Sequence, residues 1–420
     1  MNDLQNIIPR IQIPRLKKVL HDHPVVILHG ARQTGKTTLA QIPIIGKNRS
    51  YVSLDDFDVM DTAGRDPSAL FIGHRKTTLD EVQRKPEILL AIKADVDRNR
   101  EAGRFLLTGS ANLLLMKRVS ETLAGRAVYC FLPPFTWAES EGQRFGGLLD
   151  ELLEQSSVED AIKHLSMKTP HPSRKMSSAI SAGGYPVPTL SNDVSFRSAW
   201  FDGYIQTYLE RDLRDFSATD NLVEFRRLMQ ICAVQNGRLL NIASLANDAG
   251  LSPATARRYL NILGASFQII TIPAYAVNKG KRLTKAPKMF WNDTGLAAHL
   301  AGIFDEKSLV QSREWGAWIE NWVGTHLLVY TSLRSPRPTL FHWRTSSGHE
   351  VDFVLEFGKK LLPIEVKATS RPTGGDIQGL EVFMDTYSNA PLGIVVCQCN
   401  EPTVLSSRIL ALPFESLLLT

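Results

Sequence analysis

The 420-residue chain has little cysteine: Cys130, Cys232, Cys397 and Cys399 are all there is. Only the last two stand close. No second pair and no histidine joins them at zinc spacing, which excludes a disulfide-stapled scaffold and a Cys/His zinc finger. All four are expected to be reduced. Long apolar runs are also missing, so no segment is expected to cross a bilayer as a helix. Met1 to Arg15 interleaves Asn, Asp, Arg and Pro with apolar residues and lacks the apolar centre of a secretory leader. A cytoplasmic protein without membrane contact is expected. There is no internal repeat and no low-complexity tract, which excludes a solenoid and a long disordered tail. Charge of one sign is barely in excess: 48 Lys+Arg against 43 Asp+Glu leaves +5. That permits nucleic-acid binding without requiring it.

What is present is ordinary globular composition, 43% hydrophobic and 22% charged. The length exceeds one core, so roughly two to four domains are expected. Val25-Val26-Ile27-Leu28 is a continuous apolar run, as in a strand buried on both faces. Further strands are expected at Tyr51–Leu54, Thr77–Leu79, Phe105–Leu107 and Ala127–Phe131. Pro86 opens a helix carrying Ile88, Leu89, Ile92 and Val96 at helical spacing. Alternation of this kind implies a parallel sheet covered by helices. Pro133-Pro134 breaks it. Gln155 to Ser178 is polar and reads as loop, Phe196 to Gln235 as amphipathic helix. The last hundred residues return to mixed strands and helices.

The expected fold class is α/β. Its parts are a parallel-sheet P-loop ATPase over 1–140 and a helical region over 141–235. A winged-helix-like segment over 236–304 and a nuclease-like α/β domain over 305–420 complete it.

The strongest motif is Gly30-Ala31-Arg32-Gln33-Thr34-Gly35-Lys36-Thr37, a Gly-x4-Gly-Lys-Thr loop between a strand and a helix. Its glycines let backbone amides wrap phosphates, and the start of the next helix adds partial positive charge. Gly30 to Thr38 are therefore expected to hold ATP. Lys36 reaches the β- and γ-phosphates, and Thr37 offers its hydroxyl to Mg²⁺. A second acidic element is needed. Leu79-Asp80-Glu81 ends a strand, so Asp80 is expected in the Mg²⁺ shell and Glu81 as polariser of the attacking water. Lys76-Thr77-Thr78 is less apolar than a central strand usually is. Leu107-Thr108-Gly109-Ser110 ends the next strand. Ser110 is the candidate γ-phosphate sensor, with Thr108 and Asn112 as alternatives. Arg126 is either a finger acting in trans or a structural arginine.

Together with Leu123-Ala124-Gly125-Arg126, these motifs resemble the AAA-type ATPases of bacteria and archaea. The narrower resemblance is to the subgroup with a C-terminal domain of unknown function. It continues through Tyr208-Leu209-Glu210-Arg211-Asp212, Lys281 to Lys288 and Asn292-Asp293-Thr294-Gly295-Leu296. It implies an ATPase fused to a DNA-related C-terminal region. ATP rather than GTP follows from it.

Leu240 to Leu263 carries a second pattern. Ile242 and Leu245-Ala246 fit a short helix, Ala249-Gly250-Leu251 a tight turn, and Ser252-Pro253 the cap and first position of a second helix. Arg257, Arg258 and Tyr259 lie on that helix, with Leu260 and Leu263 facing inward. This is a helix-turn-helix layout. It serves either DNA contact or, equally, protein contact within an ATPase. The resembling family carries a winged helix here.

A second metal site is expected near the C-terminus. Val351, Phe353, Leu355 and Phe357 alternate with Glu350, Asp352, Val354 and Glu356, placing Asp352 on the more polar face of a strand. After a turn at Gly358-Lys359-Lys360, Glu365 and Lys367 share one face of a second strand. Asp352 and Glu365 would bind Mg²⁺ or Mn²⁺, Lys367 would orient the attacking water or stabilise the developing charge, and Glu320 on an upstream helix would complete the ligands. This arrangement resembles the PD-(D/E)xK nucleases over roughly 305–420. The resemblance maps the helical glutamate to Glu320 and an auxiliary glutamine to Gln378. Gly348-His349-Glu350 departs from it where many relatives have Pro.

Three readings share the ATPase. One is an ATP-controlled nuclease acting on DNA. Another is an ATP-switched DNA-binding regulator with an inactive nuclease-like fold. The third is a signalling scaffold. A homo-oligomer is an open possibility in each.

Overall fold

The computed structural model describes residues 7–109, 122–164, 169–209 and 221–420. It divides into two units, one of Pro9–Pro134 with Asn261–Gln268, the other chiefly of Phe135–Leu260 and Ile269–Thr420.

The first unit is built on a five-stranded sheet in the order β2-β3-β4-β1-β5. Its strands are β1 (Val25–His29), β2 (Ser50–Ser53), β3 (Thr77–Asp80), β4 (Phe105–Gly109) and β5 (Ala127–Phe131). All neighbours pair in parallel, with Val25 opposite both Phe105 and Ala127. Every residue of β1 is buried, as its β-branched run requires of a strand with helices on both faces. Helix α1 (Ile13–Asp22) precedes β1, and α2 (Lys36–Gln41) follows it. Helix α3 (Ile88–Arg98) buries the four residues whose spacing predicted it, Ile88, Leu89, Ile92 and Val96, in the core beside Leu79 and Leu107. Each such side chain contributes roughly 1.5–3 kcal/mol.

Thr77 and Thr78 of β3 are buried despite their polarity. Arg49 supplies the reason for Thr78, whereas the Thr77 hydroxyl is buried without a hydrogen-bond partner. Arg49 donates to the Thr78 hydroxyl at 3.1 Å and to the Thr77 carbonyl at 2.8 Å. Burial pushes the Arg49 guanidinium down to about 10, with Arg104 adding to the effect.

In the second unit, α4 (Leu222–Val234) and α5 (Ile242–Ala249) lead to α6 (Pro253–Ala265), whose residues from Asn261 on belong to the first unit. Gly250 closes α5 in the left-handed region at φ 65°, where glycine is unstrained. Ser252 caps α6, its hydroxyl accepting from the Thr255 amide at 3.1 Å. Leu260 and Leu263 are buried, and Arg257 and Arg258 are exposed. Tyr259 lies on this helix with the arginines, Arg258 standing 5.4 Å over its ring, and packs edge-on against Phe225. An antiparallel ribbon follows, β6 (Ile269–Ile272) with β7 (Lys288–Trp291). The polar stretch read as loop holds two helices, Val158–His164 and Met176–Ala182, because Val158 and Ala161 are buried. Helix α7 (Thr294–Leu300) is capped by Asp293.

Helix α8 (Trp315–Leu333) is buried along most of its length. It and α9 (Gly374–Thr386) pack on a six-stranded mixed sheet of order β12-β13-β11-β10-β9-β8. These strands are β8 (Thr339–Arg344), β9 (Glu350–Phe357), β10 (Lys360–Val366), β11 (Gly393–Cys397), β12 (Thr403–Ser406) and β13 (Ile409–Pro413). Strand β9 was read as having one polar face, yet Val351 through Leu355 are all buried. The sheet is covered on both sides, so alternation there encodes two cores rather than core and solvent. Gly379 of α9 lies on β9, where an added Cβ would stand 2.0 Å from the Glu350 carbonyl oxygen.

On α8, His326 bridges two segments. Its Nε2 accepts from the Trp137 amide at 2.9 Å, and its Nδ1 meets the Trp322 carbonyl at 2.7 Å. Only the neutral ring with hydrogen on Nδ1 satisfies both. Burial pushes His326 down to about 4. Asn321 serves β7 in the same way. It donates to the Trp291 carbonyl and accepts from the Trp291 amide, each at 2.9 Å. All four cysteines are free of disulfides, and no helix among the described residues is long and apolar enough to cross a membrane.

Candidate functional site

The loop Gly30–Gly35 leaves the carboxyl end of β1, which lies between β4 and β5. Gly30 has no space for a side chain, since a Cβ would stand 2.3 Å from the Leu132 carbonyl oxygen. Gln33 and Gly35 take positive φ, 62° and 88°. Lys36 curls back on the loop, donating to the carbonyls of Ala31 at 2.8 Å and Gly30 at 3.1 Å. The Thr34 hydroxyl also donates to the Ala31 carbonyl. Arg10, which sequence reasoning passed over, donates to the Thr34 carbonyl at 2.7 Å and to the Pro133 carbonyl at 2.5 Å. Nothing in its local pattern marks it, because its partners lie far along the chain. Arg32 and Thr38 stand in the loop and on α2 as expected.

Asp80 ends β3 buried, and three hydroxyls converge on it. Thr37 donates at 2.8 Å, Tyr51 at 2.6 Å, and Thr108 also donates to this carboxylate. Thr37 and Asp80 therefore meet as the sequence predicts. Tyr51 is an addition. Burial and then the Asp80 carboxylate push its phenol upward. Glu81 follows in the left-handed region at φ 57°, and the Gln83 amide donates to its carboxylate. A non-glycine residue held there stores roughly 1–3 kcal/mol of strain, as residues at working sites often do. Of the sensor candidates, Thr108 reaches Asp80, and Ser110 and Asn112 lie outside the described residues. Arg126 forms a two-point ion pair with Asp97, at 2.5 and 2.9 Å.

His29, the last residue of β1, was also missed. It lies buried among the rings of Tyr129, Phe131 and Phe267, at 5.8, 5.6 and 5.3 Å. Burial, with Lys36 adding to it, pushes this imidazole down to about 4.

In the second unit the C-terminal candidates do come together. Glu365 on β10 pairs with Lys367 at 2.9 Å and accepts from the Asp352 amide at 3.4 Å. Asp352 on β9 accepts from the Val366 amide at 3.0 Å. Glu320 on α8 joins them through an unpredicted residue, Lys288. Its ammonium lies 2.7 Å from Glu320 and 3.1 Å from Asp352. Burial would lower Lys288, but Asp352 and Glu320 outweigh it and hold the ammonium charged. Burial and then Asp352 push Glu320 up to about 8. The same two causes raise Glu365 well above the usual carboxylate range. Gln378 lies exposed on α9. Lys288 was legible only as the end of the basic stretch from Lys281. Its place at the head of the apolar run Met289-Phe290-Trp291 was the available signal.

Other motif residues are structural. Arg282 clamps Glu356 at 2.7 and 2.9 Å and stacks on Tyr275 and Phe341. Asp293 accepts from the amides of Leu296, Gly184 and Tyr185 at 2.8, 2.6 and 3.1 Å. Glu210, Arg211 and Asp212 lie outside the described residues.

Residues 22–141 match the family described as an AAA domain. Residues 173–307 and 315–417 match two families described as domains of unknown function, DUF8612 and DUF4143. Among solved structures, a Walker-type ATPase of Pyrococcus abyssi is 15% identical and covers 71% of this chain and 97% of its own, with a TM-score of 0.44. The Holliday junction branch migration motor of Thermotoga maritima is 17% identical over 66% of this chain and 95% of its own, with a TM-score of 0.29. Two uncharacterized proteins, from Mycobacterium bovis and Mycobacterium tuberculosis, are each 32% identical over 367 residues. The match spans 86% of this chain and 74% of each relative. The chain belongs to the family of these mycobacterial proteins, and its N-terminal part is an AAA-type ATPase domain.

Proposed function

We infer that the protein hydrolyses ATP at the Gly30–Thr38 loop and uses it to switch a DNA-binding second unit. The observation that carries the first half is the convergence of Thr37, Tyr51 and Thr108 on the Asp80 carboxylate. A hydroxyl and a carboxylate meeting beside the loop lysine fit Mg²⁺, which Thr37 and Asp80 would hold. Bound there, the ion would neutralise phosphate charge. Lys36 would leave the loop carbonyls for the phosphates. Glu81, turned out of the strand, would orient water and take its proton.

The second half rests on α5, the tight turn and α6, with Arg257 and Arg258 exposed on α6. This supports a winged-helix reading in which the arginines meet phosphates. A second reading, an ATP-controlled nuclease, is favoured by one observation, the meeting of Asp352, Glu365 and Lys367.

The test joins both. Hydrolysis of ATP is expected to fall at least about a hundredfold in Lys36→Ala and Asp80→Asn, and labelled DNA is expected to be retained at low salt and released steeply as salt rises. Hydrolysis unchanged in Asp80→Asn refutes the site. DNA that fails to bind at any salt refutes the switch. Asp352-dependent cleavage moves the conclusion to the nuclease.

A further inference from the structure

Asp352, Glu365 and Glu320 bring three carboxylates together in the second unit, and the question is what balances them. A divalent metal takes carboxylate oxygens with free lone pairs at about 2.0–2.6 Å. Here five of the six carboxylate oxygens face the chain's own donors. Asp352 Oδ1 faces Lys288, and Oδ2 accepts from the Val366 amide. Glu365 Oε1 faces Lys367, and Oε2 accepts from the Asp352 amide. Glu320 Oε1 faces Lys288. Among the described residues no group of three or more His, Cys, Asp or Glu side chains is arranged to hold a metal. The donor set therefore does not fit the ion expected from the sequence.

We propose that the Lys288 ammonium is the resident cation of this cluster and stands where a divalent metal would otherwise bridge Glu320 and Asp352. Its origin matters. Asp352 and Glu365 lie on the six-stranded sheet and Glu320 on α8, whereas Lys288 comes from the β6–β7 ribbon. It is the first residue of β7, paired to Ile272 across the ribbon and bridged to Leu239. Asn321 pins the other end of β7 by binding both the amide and the carbonyl of Trp291. The lysine is thus delivered by a strand fixed at both ends, not by a mobile loop. The side chains of Lys288 and Asp352 are 9% and 10% exposed, so water does not substitute for either. A buried lysine between two carboxylates also satisfies the rule that buried charges are paired. The cluster keeps the nuclease-like layout and has exchanged its metal for a covalently attached counter-ion. This deepens the reading of the second unit as nuclease-shaped and is independent of ATP hydrolysis.

The test uses the full chain, stripped with EDTA and free of nucleotide, with Mn²⁺ as the probe. Uptake is read from the electron paramagnetic resonance of free Mn²⁺, and stability from tryptophan fluorescence on heating. The wild type and Asp352→Asn are expected to take up the same amount of Mn²⁺. Lys288→Met, which leaves the carboxylates uncompensated, is expected to melt earlier in EDTA. It should then take up one additional equivalent of Mn²⁺ and recover its melting point. That additional equivalent should vanish in Lys288→Met combined with Asp352→Asn. If Lys288→Met does not fold, the charge-balanced pair Lys288→Met with Glu320→Gln is expected to fold where the single variant does not. One equivalent more Mn²⁺ in the wild type than in Asp352→Asn overturns the proposal. So does a folded Lys288→Met that gains none, or a charge-balanced pair no more foldable than the single variant. Failure to bind DNA would sink the switch reading while leaving these outcomes as they stand.

Discussion

Replacing His326 by Gln should remove a specific dependence of stability on pH. In the fold the imidazole is neutral, holding the Trp137 amide on one nitrogen and the Trp322 carbonyl on the other. Burial takes it from 6.5 down to about 4, a difference of 6.5 − 4 or about 2.5. Each such unit corresponds to about 1.36 kcal/mol. The sign follows from which state binds the proton. Below 6.5 the unfolded chain takes a proton that the folded chain refuses, so the contribution is whole above 6.5 and drains away as pH falls toward 4. By pH 4 the loss attributable to this ring is about 3 kcal/mol. Glutamine supplies one acceptor and one donor without titrating. Urea unfolding of both proteins, followed by tryptophan fluorescence from about pH 8 to about pH 4, isolates the difference. Trp137 and Trp322, with ring centres 5.0 Å apart, place two of the chain's seven tryptophans beside His326. The wild type should lose about 3 kcal/mol more than His326→Gln over this range. A constant gap between the two at every pH would falsify the neutral-imidazole argument.

Three further outcomes are expected. Asn321→Leu takes the side-chain donor from the Trp291 carbonyl and leaves the Trp291 amide its longer bond to Asn236 at 3.2 Å, and it should destabilise the second unit by roughly 1–3 kcal/mol, read by chemical denaturation. Asp293→Ala leaves the amides of Leu296, Gly184 and Tyr185 without their acceptor. It should lower stability by about 2–4 kcal/mol, visible as an earlier melt. Arg257→Glu with Arg258→Glu should weaken DNA binding at least about tenfold and flatten its salt dependence by about one ion per phosphate contact removed. Unchanged slopes would remove α6 from the interface.

The ATPase domain was largely legible because its signals are local. Five short runs, the more polar one at Thr77–Leu79 included, matched five strands with edges moved by a residue or two, and Gly30 to Thr37 needed only its flanking strand and helix. The meeting of Thr37 with Asp80 was readable from chemistry. Tyr51, Arg10 and Thr108 were harder, since each acts through a partner brought close only by sheet order. In the second unit, spacing placed Asp352, Glu365 and Lys367 together. It misjudged their surroundings, because a strand covered on both faces still alternates in polarity when one face holds buried charge. Lys288 was hidden for a related reason. A lysine ending a basic stretch looks solvated until a ribbon from elsewhere turns it inward.

The close approach of Gly30 to the Leu132 carbonyl bears on how such chains diverge. Selection acts on Gly30 and on Lys36 through different channels. In the proposed reading Lys36 answers to the phosphate, whereas Gly30 answers to the packing of its own backbone. In a lineage that abandoned nucleotide, Lys36 would be free to drift, but any side chain at position 30 would still collide with the segment leaving β5. A first glycine retained beside a lost lysine is then the mark of a descendant that kept the scaffold and gave up its fuel.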